Sequence, residues 1–341
     1  MMQMTVLASG SKGNSTVISS GRTRIMVDAG LSCRELMRRM AEAGEDASTL
    51  DAILITHEHI DHVAGLGVLA RKLKIPVFIT EPTHKAWVRM FSPRSTMSYA
   101  KWLEQIQREK EVRADTVAAE YDPGTDAVSV AHLAMVASEP HSALNQSVSA
   151  KTGLNPSDDG CSIIQRSARK TDPTCLPAVE HFCAGVDFSI GDIAITPFTI
   201  PHDAVDPCGF VFESGGVRMA LATDLGYMPP NVKAALRRVD LMLLESNHDL
   251  EMLRDGPYPW SVKQRVMSRV GHLSNHAMAE FLENDYDGSA EYIVLGHLSE
   301  SNNAPELARM SAEQALGRKA SLLGNKLLLA TQASHLESIT L

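Results

Sequence analysis

The sequence predicts a four-layer α/β sandwich, in which two mixed β-sheets pack face to face between outer layers of helices. Two observations predict this fold. Short β-rich runs broken by glycines are followed by helical patterns from residue 1 to about 90, and the same texture returns from about 180 to the end. Each sheet can then cover one face with helices and the other with its partner sheet. A chain of 341 residues can bury such a core in a single domain.

The first group of predicted elements begins at the N-terminus. Strands are predicted over 4–9, 15–19 and 24–30, and the loop 9–14 joins the first two. An amphipathic helix follows, with Ser32 as its N-cap and Gly44 at its end. After it, the predicted elements are a strand over 51–56, a helix over 63–74 and a strand over 75–80.

Residues 91–179 differ in composition from the parts that flank them, and we interpret them as an insertion on a core formed by 1–90 and 180–341. The polar stretch near 140–160 is predicted to be mobile, because it has little apolar surface to offset the entropy of ordering. Beyond the insertion, strands are predicted at 186–190, 193–200, 208–214, 217–223, 239–245 and 292–296, with helices at 261–271 and 274–284.

Composition excludes several classes of protein. No apolar run approaches the ~20 residues that a membrane helix needs, and the first residues do not resemble a secretory signal, so we expect a cytoplasmic protein without a membrane partner. Five scattered cysteines indicate reduced thiols. The net charge of −9 argues against a globally basic nucleic-acid coat but permits a nuclease, because bound cations reverse the local field. The sequence leaves the oligomeric state open.

The strongest chemical signal is the segment THEHIDH at 56–62, directly after a predicted strand. It contains four potential metal ligands, His57, His59, Asp61 and His62. Three histidines within six positions are improbable by chance in a chain that has 13. Imidazole together with carboxylate suits zinc, manganese or iron better than calcium. His57 and His59 can converge on one ion, while Asp61 and His62 turn toward a second.

This HxHxDH pattern resembles the metallo-β-lactamase superfamily, whose fold is an αββα sandwich, and further candidate ligands follow in the order of that family. The resemblance implies two divalent ions, zinc or manganese with iron possible. One ion would have His57, His59 and His202, and the other Asp61, His62 and His297, with Asp224 and a hydroxide between them. The resemblance also implies that Asp28 orients a ligand histidine and does not bind metal itself. Metal sites commonly need such an orienting residue.

A closer resemblance is carried by seven segments in order: LASGSKGNSTVI, PHDAVDPCGF, ATDLGY, LLESNHD, GPYPWSVKQRV, GHLSNHA and HLSESNN. They are similar to the WalJ (YycJ)-like branch of the superfamily, over residues 1–90 and about 180–341. Members of that branch are regarded as cytoplasmic 5′-to-3′ DNA exonucleases or related phosphodiesterases. DNA is therefore the implied partner, and the segment 91–179 is longer than the branch leads us to expect.

Two more histidines, His248 and His272, stand where this branch and the tRNase Z enzymes have auxiliary catalytic groups. Either could protonate the leaving oxygen of a phosphodiester, and both could instead be structural residues at helix ends. With Asp61, which helps to hold the source of the nucleophile, they complete the candidate catalytic residues.

The glycine-rich loop offers Ser11, Lys12 and Asn14 as contacts to a phosphate, because glycines let backbone amides approach an anion. An ordinary hairpin is an equal alternative. Lys263 and Arg265 are interpreted either as contacts to a phosphate backbone or as residues that face solvent.

The sequence therefore favours two-metal hydrolysis of a phosphodiester. The alternative is a small-molecule hydrolase acting on a thioester, a lactone or a cyclic phosphodiester, since the fold supports all of these. The second pair of histidines favours the nuclease, because simpler hydrolases of the fold do not need it. A diiron redox protein is disfavoured, because such relatives usually have glutamate where this chain has His59.

Overall fold

The computed structural model describes residues 1–91, 173–317 and 324–341. These residues form two seven-stranded mixed sheets with helices on their outer faces, which confirms the predicted four-layer sandwich. Elements are numbered in chain order. Within this part of the chain, no helix is both long enough and apolar enough to cross a membrane.

The first sheet contains the N-terminal strands. Its members are β1 (Gln3–Ala8), β2 (Ser15–Ser19), β3 (Arg24–Val27), β4 (Ala52–Leu54), β5 (Val77–Thr80), β6 (Val179–Phe182) and β14 (Ile339–Thr340). The strand order is β14-β1-β2-β3-β4-β5-β6. Pairing is antiparallel from β14 to β3 and parallel from β3 to β6, so β3 and β4 end at the same edge.

The second sheet contains β7 (Phe188–Ile190), β8 (Ile193–Thr199), β9 (Cys208–Ser214), β10 (Val217–Ala222), β11 (Leu241–Glu245), β12 (Tyr292–Gly296) and β13 (Lys326–Leu329). The strand order is β13-β12-β11-β10-β9-β8-β7. Pairing is parallel from β10 to β13, so the loops after β10, β11 and β12 leave the sheet at one edge. Each sheet therefore has one part with antiparallel pairing and one part with parallel pairing.

Three layers of apolar side chains hold the sandwich together. The central layer joins the two sheets through residues such as Met4 and Phe210. One outer layer packs α1 (Cys33–Glu42), α3 (Leu66–Leu73) and α4 (Glu81–Phe91) on the first sheet. The other packs α5 (Pro230–Ala235), α8 (Asn275–Asn284) and α9 (Pro305–Leu316) on the second. The shorter helices α2 (Ile60–Val63), α6 (Leu250–Asp255) and α7 (Trp260–Val266) follow strands β4 and β11.

Local sequence signals explain how several helices begin and end. The Ser32 side chain accepts a hydrogen bond from the Glu35 amide, which confirms it as the N-cap of α1. Gly44, with φ of 75°, follows the end of that helix as predicted. The predicted helix over 63–74 corresponds to α3, which begins only at Leu66, while Val63 belongs to the preceding helix α2. At the break, Gly65 approaches the backbone closely, since an added Cβ would lie 2.2 Å from the Leu31 carbonyl oxygen.

Two further predictions differ from the structure or lie outside it. The predicted helix over 261–271 ends at Val266, because the residues that follow turn toward the loop that contains His202. There the Val270 carbonyl accepts a hydrogen bond from the Asp203 amide, and the Gly271 carbonyl lies 3.1 Å from His202 Nδ1. The sequence patterns did not single out α4, α9, β13 or β14. The predicted mobility of 140–160 concerns residues outside the described part, and the single-domain organisation with an insertion stays a prediction.

Candidate metal centre

The predicted site residues meet where parallel strands end. Asp28 directly follows β3, and the segment 57–62 lies just beyond β4. From the second sheet, Asp224 lies beyond β10 and His297 directly follows β12, while His202 lies in the loop between β8 and β9. Side chains at neighbouring strand ends converge, so one edge of the sandwich gathers ligands that are far apart in the chain.

Three of these residues have an unusual backbone conformation. Asp28, Asp224 and His297 have φ values of 61°, 62° and 55°, in the left-handed region that residues other than glycine rarely adopt. All three stand immediately or almost immediately after a strand of the parallel part of a sheet. Such strained residues cluster at functional sites, where the surrounding structure stabilises them.

The first group of potential donors comprises His57, His59 and His202, whose ligand atoms all lie within 4.8 Å of one another. His202 Nε2 is 3.2 Å from His59 Nδ1. The His57 ring is buried, and its Nε2 has no hydrogen-bond partner among the described residues. This group joins two residues of one loop in the first sheet with one residue of the second sheet.

The second group comprises Asp61, His62 and His297, again within 4.8 Å of one another. Asp61 Oδ2 is 3.6 Å from His62 Nε2 and 3.7 Å from His297 Nε2. Asp224 lies between the groups, because its Oδ2 is 3.4 Å from His62 Nε2 and its Oδ1 is 3.8 Å from His202 Nε2. All seven residues predicted as ligands are therefore brought together.

The donor set fits transition-metal ions. In four of the histidines, the ring nitrogen Nδ1 lies within hydrogen-bond distance of an oxygen. The pairs are His57 with Thr56 Oγ1 at 3.0 Å, His62 with Asp28 Oδ2 at 2.8 Å, His202 with the Gly271 carbonyl at 3.1 Å, and His297 with Glu245 Oε1 at 2.9 Å. Such contacts orient a ligand ring toward a metal. In the part of the chain that the structure describes, three buried atoms lack hydrogen-bond partners: His57 Nε2, His297 Nε2 and Asp224 Oδ2. Leaving them unpaired is costly unless a cation binds.

The electrostatic environment differs between the two groups. Burial, followed by the neighbouring histidines, lowers the pKa of His57 well below its ordinary value, and burial also lowers the pKa of His202. Burial opposes a charge on His62 as well, but the carboxylates of Asp224, Asp28 and Asp61 outweigh it and raise the His62 pKa to about 9. Burial thus favours the neutral imidazole of His57 and of His202 in the first group, whereas the second group lies in a negative field that attracts cations.

Glu245 is a residue of the centre that the sequence patterns did not single out. It is fully buried, and its Oε1 accepts hydrogen bonds from His272 Nδ1 at 2.8 Å and His297 Nδ1 at 2.9 Å. Its Oε2 accepts from the amides of Leu225 and Leu273. The available signal was a carboxylate at the end of the apolar strand LMLLE, because such a group needs partners to be buried.

The two auxiliary histidines lie in different surroundings. The ring centroid of His272 is 5.1 Å from those of both His202 and His297, and its side chain is 23% exposed. His248 is buried, and burial lowers its pKa to about 4. Its Nδ1 has no hydrogen-bond partner within residues 1–91, 173–317 and 324–341. Among the described residues, its side chain makes no hydrogen bond or ion pair with the seven potential ligands. His272 therefore adjoins the centre more closely than His248.

The three residues predicted to contact phosphate also lie in different surroundings. Asn14 is buried beside the centre, with its Nδ2 at 3.0 Å from His62 Nε2 and 3.3 Å from Asp61 Oδ2. Lys12 is exposed and its Nζ lies 2.5 Å from Glu300 Oε2, while Ser11 faces solvent.

The two basic residues of α7 both have partners within the protein. Lys263 Nζ is buried and donates to the Arg254 carbonyl at 2.6 Å. Arg265 pairs with Asp203. Neither side chain is therefore an unpaired cation available to a phosphate. Of the two residues, only Arg265 is exposed.

The sandwich and its histidine–carboxylate cluster define a metal-dependent hydrolase. Family models give the same class: the metallo-β-lactamase superfamily matches residues 8–142, and a β-lactamase superfamily domain matches residues 158–297. The metallo-β-lactamase-fold protein YhfI from Bacillus subtilis has a similar fold, with a TM-score of 0.56 at 12% identity, covering 99% of this chain and 100% of that one.

Curated relatives make the identification more precise. Exodeoxyribonuclease YycJ of Bacillus anthracis is 30% identical over 318 residues, covering 93% of this chain and 90% of that protein. Exodeoxyribonuclease WalJ of Streptococcus pneumoniae is 31% identical over 313 residues, covering 92% and 87%. The chain belongs to the metallo-β-lactamase superfamily, in the branch of YycJ and WalJ, as its sequence motifs predict.

Proposed function

We propose that the chain is a dinuclear phosphodiesterase that degrades DNA from a 5′ end in the cytoplasm. The observation that carries the dinuclear proposal is the position of Asp224, within 3.8 Å of a histidine of each donor group. A carboxylate in that position can hold two ions at once. The likeness to two exodeoxyribonucleases over most of each chain supports DNA as the substrate.

His57, His59 and His202 would hold one ion, and Asp61, His62 and His297 the other, with Asp224 shared. When bound, two divalent ions lower the pKa of the attacking water and offset charge on the phosphate oxygens. Zinc and manganese both suit these donors, and iron is compatible with them. Asn14, which lies against Asp61 and His62, is positioned to contact the phosphate beside the second group.

Asp28 and Thr56 orient the first-sheet ligands. Asp28 Oδ1 accepts a hydrogen bond from the Thr56 amide at 2.9 Å, and Asp28 Oδ2 accepts from the Thr56 hydroxyl at 2.9 Å. That hydroxyl lies 3.0 Å from His57 Nδ1, and Asp28 Oδ2 lies 2.8 Å from His62 Nδ1. One buried carboxylate therefore fixes a histidine of each group, in line with a role beside the ions instead of on them.

His272 is our candidate for the proton donor to the leaving oxygen. Its contact with Glu245 supports this role, because a carboxylate that accepts from Nδ1–H stabilises the cationic ring and leaves the Nε2 proton for transfer. Its partial exposure also suits a group that meets substrate. His248 is less suited, because burial lowers its pKa to about 4, so near neutral pH its ring is an uncharged imidazole without the acidic imidazolium proton.

The proposal is tested with protein stripped of metal and reloaded with zinc or manganese. We expect elemental analysis to give two ions per chain, together with shortening of single-stranded DNA from a labelled 5′ end and hydrolysis of bis(p-nitrophenyl) phosphate. A single ion in fully loaded protein contradicts the dinuclear site. Turnover of a thioester or lactone without any cleavage of DNA would favour the small-molecule hydrolase.

A further inference from the structure

An arginine–tyrosine pair lies beside the metal centre. The guanidinium carbon of Arg269 is 4.1 Å from the centroid of the Tyr227 ring. Tyr227 is half-buried, whereas Arg269 is exposed. The ring attracts the cation and holds it from one side. The N–H donors of the exposed guanidinium remain available to another partner.

The backbone fixes this pair next to residues of the centre. Tyr227 follows Asp224 by three residues, and Arg269 precedes His272 by three. The two segments touch at Gly226, where an added Cβ would lie 2.1 Å from the Arg269 carbonyl oxygen. The two segments therefore lie too close together for a side chain at position 226.

The Arg269 segment is also attached to the loop that carries His202. The Val270 carbonyl accepts a hydrogen bond from the Asp203 amide at 2.9 Å. The next carbonyl, that of Gly271, lies 3.1 Å from His202 Nδ1. Backbone contacts therefore join the segment that contains Arg269 to the loop that contains His202.

Arg269 differs from its basic neighbours in having no carboxylate partner. Arg265 pairs with Asp203, and Arg254 pairs with Asp255. In the described residues, no carboxylate lies within ion-pair distance of Arg269. Its exposed guanidinium, in a segment attached to a centre rich in buried carboxylates, adds positive charge that an anionic polymer would meet.

We propose that Arg269 binds a backbone phosphate of the DNA strand next to the phosphodiester that is cleaved, and that Tyr227 is the positioning residue that holds its guanidinium. The inference rests on the proposed DNA substrate. A polymer presents further phosphates beside the one in the metal centre, and a protein cation can replace the counterion of such a phosphate. Arginine suits this contact, because its planar fork can donate two hydrogen bonds to one phosphate.

A phosphate contact has a characteristic salt dependence. Each phosphate that a protein neutralises on a single strand adds ~0.7 to the steepness of the fall of log affinity with log salt concentration. A residue that only supports the fold does not change this slope. The slope therefore separates a phosphate contact from a structural role of Arg269.

The experiment measures binding of metal-loaded protein to a short oligothymidylate with a phosphorothioate backbone, by fluorescence anisotropy at several salt concentrations. For Arg269→Ala we expect Kd to rise about tenfold and the salt slope to fall by ~0.7. Tyr227→Phe keeps a ring and should bind like the parent. Tyr227→Leu should weaken binding about two- to fivefold, the usual size of an exposed cation–π contact.

Arg254→Ala is the matched control, because it removes an exposed arginine whose charge is already paired with Asp255. It should leave Kd and the salt slope unchanged. Metal content and the thermal midpoint are measured on every variant, and Arg269→Lys, which keeps the charge, should retain the parental slope.

Two outcomes would overturn the inference in distinguishable ways. If Arg269→Ala keeps the parental Kd and slope, the phosphate contact is wrong, while the proposed exonuclease stands. If the parent hydrolyses bis(p-nitrophenyl) phosphate but binds no oligonucleotide, the inference and the DNA substrate both fail, and hydrolysis by the metal centre remains.

Discussion

The two sheets contribute to the centre in different ways. The first sheet supplies His57, His59, Asp61 and His62 from one short segment after β4, which comprises a loop and the start of α2. The second supplies His202, Asp224 and His297 from three separate loops, and Glu245 from the end of β11. A contiguous motif is visible in a sequence, whereas dispersed residues become a site only when neighbouring strand ends bring them together.

The supporting contacts differ as well. In the first sheet, Asp28 orients His62 and reaches His57 through the Thr56 hydroxyl. In the second, one oxygen of Glu245 contacts both His272 and His297. A change at Glu245 therefore affects a potential ligand and the candidate proton donor together, while a change at Asp28 affects potential ligands alone.

The largest effect is expected when either sheet loses a ligand. His59→Ala removes a donor that the first sheet supplies, and His202→Ala removes a donor of the same group that the second sheet supplies. Both variants should lose metal, and their rates of hydrolysis of DNA and of bis(p-nitrophenyl) phosphate should fall at least ~10³-fold. Asp61→Ala should abolish both activities. Metal content and steady-state rates provide the measurement. If His202→Ala retained full metal content and parental rates, the second sheet would not complete that group.

Replacement of the proton donor should have a more selective effect. His272→Ala should keep both ions and lower the turnover of DNA by ~10²–10⁴-fold. Hydrolysis of bis(p-nitrophenyl) phosphate should fall much less, because p-nitrophenolate leaves without a proton. His248→Ala is the comparison, with a smaller expected loss on DNA. The opposite pattern in metal-replete proteins would assign the donor role to His248.

The two supporting carboxylates give a smaller and directly comparable effect. Asp28→Asn and Glu245→Gln should each weaken metal binding or activity by ~10–100-fold. Only Glu245→Gln should also impair DNA more than bis(p-nitrophenyl) phosphate, because it removes the partner of His272. Metal titration and the ratio of the two rates measure this. The same ratio for both variants would show that Glu245 does not act through His272.

The smallest effect concerns helix stability in each half. Ser32 caps α1 beside the first sheet, and Ser274 caps α8 beside the second, each through a side chain that accepts from a backbone amide. Ser32→Ala and Ser274→Ala should each lower the free energy of unfolding by about 1 kcal/mol. Urea unfolding at fixed metal concentration measures both. A much larger loss for Ser274→Ala would indicate that this cap also supports the centre.

The sequence alone determined the features that depend on short stretches of chain. The Ser32 cap and the Gly44 end of α1 follow from local hydrogen bonding and backbone freedom. The alternation of strands and helices predicted the sandwich, and the segment 57–62 contains four candidate ligands within six residues. His202, Asp224 and His297 were identified by resemblance to a family, and their roles as ligands stay predictions.

Only the tertiary structure decided which partners the charged residues have. Lys12 and Lys263 were candidates for phosphate contacts, yet Lys12 pairs with Glu300 and Lys263 is buried against the Arg254 carbonyl. Glu245 looked like the end of an apolar strand, until β12 brought His297 beside it and the loop between α7 and α8 brought His272. The physical reason is one of range: capping and strand alternation act over a few residues, whereas the partner of a buried charge depends on which distant strand ends become neighbours.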